Sequence, residues 1–281
     1  MKRLLVVSIV SAAFAVPAVG RATAGADVQR TVYFAALDSS GAAVTDLTAA
    51  DLAVKENGKE RTIQSVEPAT APMQVSLLVD DGGSGAFQAA VADFMQGLLG
   101  HAEFAIRAMN PQPTKLTGFT GDAAALQAAL NGIGPRGQVQ TTGEQMPDAI
   151  SDAANELQQR KAARPVIVVL TVGGEIAQSN QAGPALDALK RSGASLHVIY
   201  LSGLQLGQVL GDGPKRSGGT TEQIGGGVVP GRVLAKIADQ LKHQYVLTYT
   251  LPDGVKPNEK LALTTSRKGL TLLAPSRIPD K

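Results

Sequence analysis

The chain has no cysteine, no tryptophan and few aromatics of any kind, 4% of 281 residues. Without cysteine there is no disulfide framework, thiol nucleophile, cysteine-bound metal or lipidated-cysteine anchor. The shortage of rings removes the stacking platform that bases and sugars use. The three histidines, His101, His197 and His243, lack metal-ligand spacing. Past the amino-terminal stretch, no apolar run approaches the length needed to span a bilayer.

What stands at the start is a short basic head, Met1-Lys2-Arg3, then an apolar run to about Val19 and small residues at Ala22-Thr23-Ala24. This is the pattern of a cleaved secretory signal, residues 1–24. Its removal takes Lys2, Arg3 and Arg21 and no acid. That leaves 23 basic against 24 acidic groups, a formal charge of −1 where the whole chain has +2. No basic excess remains to track a phosphate backbone, which argues against nucleic acid as a partner. The expectation is an exported protein, periplasmic or extracellular, with no stable membrane insertion after signal cleavage.

Residues 25–70 read as a small β module. Val28 to Leu37 has strand character, and Asn57-Gly58 between Leu52–Glu56 and Lys59–Val66 is a strong hairpin signal. Thr48 to Asp51 fits a one-turn capped helix. From residue 71 to 251, apolar strands alternate with helical stripes, which implies a doubly wound, mainly parallel sheet. Val75–Val79 and Val166–Leu170 are continuous apolar runs, as strands covered on both faces are. Ser202 to Gly231 is glycine-rich with little periodicity and reads as a long loop. Tyr245 to Thr250 is assigned to this α/β domain. Residues 252–281 carry two terminal strands that pack back on the β module or on a sheet edge.

The chain is organised around Val75-Ser76-Leu77-Leu78-Val79-Asp80-Asp81-Gly82-Gly83-Ser84-Gly85, an apolar strand that runs into carboxylates, glycines and a hydroxyl. In a parallel sheet that junction lies at the carboxyl end of a strand, where such folds place ligands. Its oxygen-bearing residues suggest a hard cation.

With Leu47-Thr48-Ala49-Ala50-Asp51-Leu52-Ala53-Val54-Lys55-Glu56-Asn57-Gly58-Lys59, Arg164–Thr171, Arg216-Ser217-Gly218-Gly219-Thr220 and Gln244–Tyr249 in this order, the chain resembles the bacterial exported family related to the von Willebrand factor A-type (VWA) domain. The resemblance implies a VWA/Rossmann-like α/β domain beside a β-sandwich-like module. It also implies a metal-ion-dependent adhesion site with a D-x-S-x-S loop, a distant threonine and a distant aspartate. Asp80 matches the first aspartate, Ser84 the second serine, and Thr141 or Thr142 the threonine. Gly82 replaces the first serine and Val172 the distant aspartate.

Magnesium needs about six oxygen ligands in octahedral array. Losing a carboxylate at Val172 is therefore more serious than losing a hydroxyl at Gly82, which water can cover. The expected site is degenerate and holds no cofactor. The function expected is non-enzymatic protein–protein interaction in the cell envelope, with Asp81, Gly83 and Glu175 among the residues facing an unidentified protein partner. The alternative is an adhesin that holds Mg²⁺ or Mn²⁺ at a rearranged site. A more remote alternative is a serine hydrolase, because Gly82-x-Ser84-x-Ala86 imitates a nucleophile elbow with alanine at the second glycine.

Overall fold

Asn57 and Gly58 both take left-handed backbone angles, φ 50° and 75°. That is what a two-residue hairpin turn between right-twisted strands requires. They join β2 (Leu52–Glu56) to β3 (Lys59–Pro68), which follow β1 (Val28–Leu37) and a 3-10 turn at Ala49–Asp51. The turn is capped as its sequence implies, with the Thr48 N–H donating to Asp51 Oδ2 at 2.8 Å.

The α/β region then runs β4 (Met73–Asp80), α1 (Gln88–Leu98), β5 (Ala102–Ala108), β6 (Thr114–Thr120), α2 (Ala123–Asn131), α3 (Met146–Gln159) and β7 (Arg164–Thr171). It continues through α4 (Ala182–Ser192), β8 (Ser195–Leu201), α5 (Gln208–Ser217), β9 (Thr221–Ile224) and α6 (Pro230–Lys242). β10 (Tyr245–Leu251), β11 (Leu261–Thr265) and β12 (Thr271–Leu273) close the chain. This computed structural model describes residues 28–135, 137, 145–173 and 180–279. The expected signal segment lies outside them.

Two sheets result. One has the order β6-β5-β4-β7-β8-β9, parallel except for the antiparallel edge strand β6. Helices α1, α2 and α6 cover one face and α3, α4 and α5 the other, so β4 and β7 are buried on both sides. Val75, Leu77 and Val79 belong to the first apolar layer, and Leu78 to the second. This is the doubly wound, VWA-like architecture expected.

The second sheet is antiparallel, in the order β11-β2-β3-β10-β1-β12. Its edge strands β11 and β12 touch, so the module closes on itself as one curled sheet instead of stacking two as a sandwich. Inside the curl lies a buried ionic cluster, with Arg30 3.2 Å from Glu56 and the Tyr249 hydroxyl donating to Glu56 at 2.5 Å.

Two sequence expectations change. β10 pairs with β1 and β3, not with the parallel sheet. The reason lies in its pattern: Tyr245, Leu247, Tyr249 and Leu251 are buried while the residues between are half-exposed, the period of a strand with one apolar face. The stretch from 202 to 231 is not one loop, since it contains α5 and β9. Gly213 and Pro214 disguise the helix, yet they form its packing face. A Cβ at Gly213 would come within 2.8 Å of Leu196 Cδ2, so glycine is what lets α5 approach β8.

Candidate functional site

β4 ends at Asp80, beside Thr171 at the end of β7. The pairing continues one step past the strands, through Val172 N–H to Asp80 O at 2.9 Å and Met109 N–H to Val79 O at 2.9 Å. Asp80, Thr171 and Asn110 are thereby collected at the carboxyl edge. Thr171 Oγ1 donates to Asp80 Oδ2 at 2.7 Å, and Asn110 Oδ1 accepts from Gly82 N–H at 3.1 Å. Asp80 is 2% exposed, and its Oδ1 has no hydrogen-bond partner among the described residues. Burial raises the Asp80 carboxyl above its ordinary range, opposed by the Thr171 hydroxyl, the Asn110 amide and the Gly82 and Gly173 backbone.

The loop after Asp80 is shaped by its neighbour. Asp81 is buried, and its carboxylate accepts from Gly83 N–H at 2.9 Å and Gly85 N–H at 2.8 Å. Its side chain therefore holds the loop together and is not presented to a partner. Ser84 Oγ donates to Asp81 O at 2.7 Å and accepts from Ala86 N–H at 3.2 Å. Both of its roles are local, and it does not join Asp80. Gly82 has φ 64°, where a serine would be strained. Gly85 is tighter still, because a Cβ there would meet Pro135 Cδ at 2.8 Å.

Val172, in the place of the distant aspartate, is half-buried and packs against the apolar layer under α1 and α6. Thr141, Thr142 and Glu175 lie outside the described residues. The described residues thus offer a cation one uncommitted carboxylate oxygen, and no cluster of three acidic or histidine ligands. That donor set does not fit an octahedral hard cation.

The model of the von Willebrand factor type A domain family matches residues 75–175, the span from β4 past β7. The chain contains a VWA domain. Several solved structures are similar at low identity. The VWA protein from Catenulispora acidiphila shares 11% identity, with 92% of this chain and 74% of that one covered, at a TM-score of 0.47. The SpRpn10 VWA domain shares 14%, covering 58% and 94%, at 0.43. BatB from Bacteroides thetaiotaomicron, described as a conserved hypothetical protein, shares 14%, covering 60% and 99%, at 0.43. No curated protein matches the chain.

Within the VWA domain, sequence reasoning missed Thr171 and Asn110. Thr171 ends β7 and Asn110 lies two residues past β5, the strands flanking β4, so their place at the carboxyl edge is the available signal. Because burial raises the Asp80 carboxyl, its charge costs stability at neutral pH. Its contribution favours the fold below the unfolded value and fades as pH rises through the folded one. Asp80→Asn removes that buried charge and is therefore expected to stabilise the protein at pH 7. Urea unfolding of both proteins checks this, and a less stable variant would contradict it.

Proposed function

We propose that this is an exported, non-enzymatic protein whose VWA domain docks a protein partner through the carboxyl-edge loops, with a degenerate adhesion site that needs no metal. The observation that carries the reading is where apolar surface is left uncovered. Among the described residues the exposed large hydrophobics are Val28, Leu201, Val228 and Val229, and the last three share this edge, at 39%, 40% and 54% exposure. The β9–α6 loop bearing Val228 and Val229 lies against Leu201, since a Cβ on Gly225 would stand 3.6 Å from Leu201 Cδ1. Lone exposed apolar residues are ordinary, but a contiguous group beside ligand-type loops favours docking.

Export is supported by the amino-terminal signal pattern. No helix among the described residues is long and apolar enough to cross a membrane. A non-enzymatic role is supported by the local engagement of Ser84 and by the histidines, none of which follows a parallel strand at this edge. His197 lies inside β8, His101 precedes β5 and His243 ends α6.

The test is crosslinked capture from native envelope with wild type and with Leu201→Ser/Val229→Ser, both checked for folding. A partner enriched by wild type and lost from the folded variant is expected, and equal capture would remove the proposed surface. The orphaned Asp80 Oδ1 favours the second reading, an Mg²⁺- or Mn²⁺-dependent adhesin. Calorimetric titration with each ion decides between them: tight binding that disappears in Asp80→Ala would establish a metal site.

A further inference from the structure

At the opposite end of the parallel sheet, about 20 Å away along β7, a cleft of about 510 Å³ opens where the two sheets meet. Its floor is the start of β7 and β8, and its far side is β1 and the carboxyl-terminal segment around Ile278. Such volumes fall in the range of ligand pockets, about 300–1,000 Å³.

The charge around it is lopsided. Among the described residues Arg164, Lys190, Arg216 and Arg277 line it against Asp187 and Glu259. Glu259 is shared, 2.7 Å from Lys190 and 3.0 Å from Arg277. Arg216 has its acidic neighbour Asp212 at 3.5 Å on an exposed helix face, a weak pairing.

Arg164 matters most. It is 4% exposed and is held by neutral oxygens, those of Gln244, Ala69, Ala71 and Leu241. No carboxylate pairs with it among the described residues. A buried cation without a counter-ion, in low-dielectric walls, focuses positive potential into the cleft it lines. A second polar group is also left over: Ser195 lines the same cleft, and its buried Oγ has no hydrogen-bond partner among the described residues. Between these groups the wall is apolar, from Val32, Leu186, Leu189 and Ile278.

We propose that this inter-sheet cleft binds a small organic anion, an acid group on an apolar body. The acid meets the arginine-rich side and the Ser195 hydroxyl, and the apolar body lies against the leucines and Ile278. This site is separate from the carboxyl-edge loops and does not depend on partner docking there.

Calorimetric titration of the purified protein with octanoate, octyl phosphate and neutral 1-octanol tests it. One of the two acids should bind with 1:1 stoichiometry at least tenfold tighter than octanol, and whichever binds identifies carboxylate or phosphate as the group recognised. Arg216→Gln and Ser195→Ala should each weaken that acid by about five- to tenfold with unfolding midpoints near wild type. Arg164→Gln should weaken it further, but it also loosens the fold, so the first two variants are the decisive ones. Octanol binding as well as the acids, or acid affinity unchanged in both Arg216→Gln and Ser195→Ala, would overturn the assignment.

Discussion

Arg164→Met is expected to destabilise the protein by about 2–4 kcal/mol, the scale of leaving several buried carbonyl acceptors without their donor. The chain passes between its two sheets at the β3–β4 link and again between α6 and β10. Arg164 grips both crossings. Its guanidinium donates to Ala69 O at 3.2 Å and Ala71 O at 3.4 Å on the first, and to Gln244 Oε1 at 2.9 Å and the Leu241 carbonyl on the second. It also lies over the Tyr33 ring of β1, 5.9 Å from the centroid. Methionine matches much of the volume but leaves these oxygens buried without donors, and the Leu241 carbonyl sits at a helix end where no backbone N–H replaces it. Burial lowers the guanidinium to about 10, still charged at neutral pH, so the donors are present under ordinary conditions. Urea unfolding at pH 7 measures the loss, and splitting of the transition would show the sheets uncoupling. A single transition moved by less than about 1 kcal/mol would contradict the account.

The same residue shows what a sequence hides. Arg164 heads an apolar strand and looks like a flanking charge, because nothing in linear order reveals that two connections cross above it. The carboxyl edge was more legible. An apolar run ending in Asp80 and glycines announces a strand-to-loop junction, and the family resemblance placed it in a VWA domain. Thr171 was harder to see. The resemblance directed attention to Val172, whereas strand register sets Thr171 opposite Asp80 and turns Val172 into the apolar layer. One residue of register separates a hydrogen-bond donor from a core side chain, and spacing in the sequence cannot resolve that. Ser84 lies on the loop, but its hydroxyl satisfies the turn's own backbone, an engagement that motif matching does not register. In α5, Gly213 and Pro214 read as breakers, although close packing against β8 is what selects the glycine. β10 differs for another reason: its alternating pattern marks a strand with one apolar face, and only its position after a helix suggests the parallel sheet.

Acid is expected to weaken the fold through His197. Its ring is buried within β8, with Nδ1 3.1 Å from Thr220 Oγ1 and Nε2 without a partner among the described residues. Burial alone pushes it down to about 4 from an ordinary 6.5. The folded state therefore keeps the ring neutral at pH values where the unfolded chain protonates it. Its contribution is intact above pH 6.5 and is lost as pH falls toward about 4. The two values span a loss of about 3 kcal/mol, a large share of a typical domain's stability. Asp80 acts in the opposite sense, because its raised carboxyl takes up a proton in the fold before it does so in the unfolded chain. A His197→Gln variant keeps a polar group for Thr220 but does not titrate. Its urea midpoint should change less than wild type's between pH 7 and 4.5, with the gap closing above pH 6.5. Parallel pH profiles for the two proteins would show that His197 is solvated, and the polar edge between β8 and β9 would then have to be open to water.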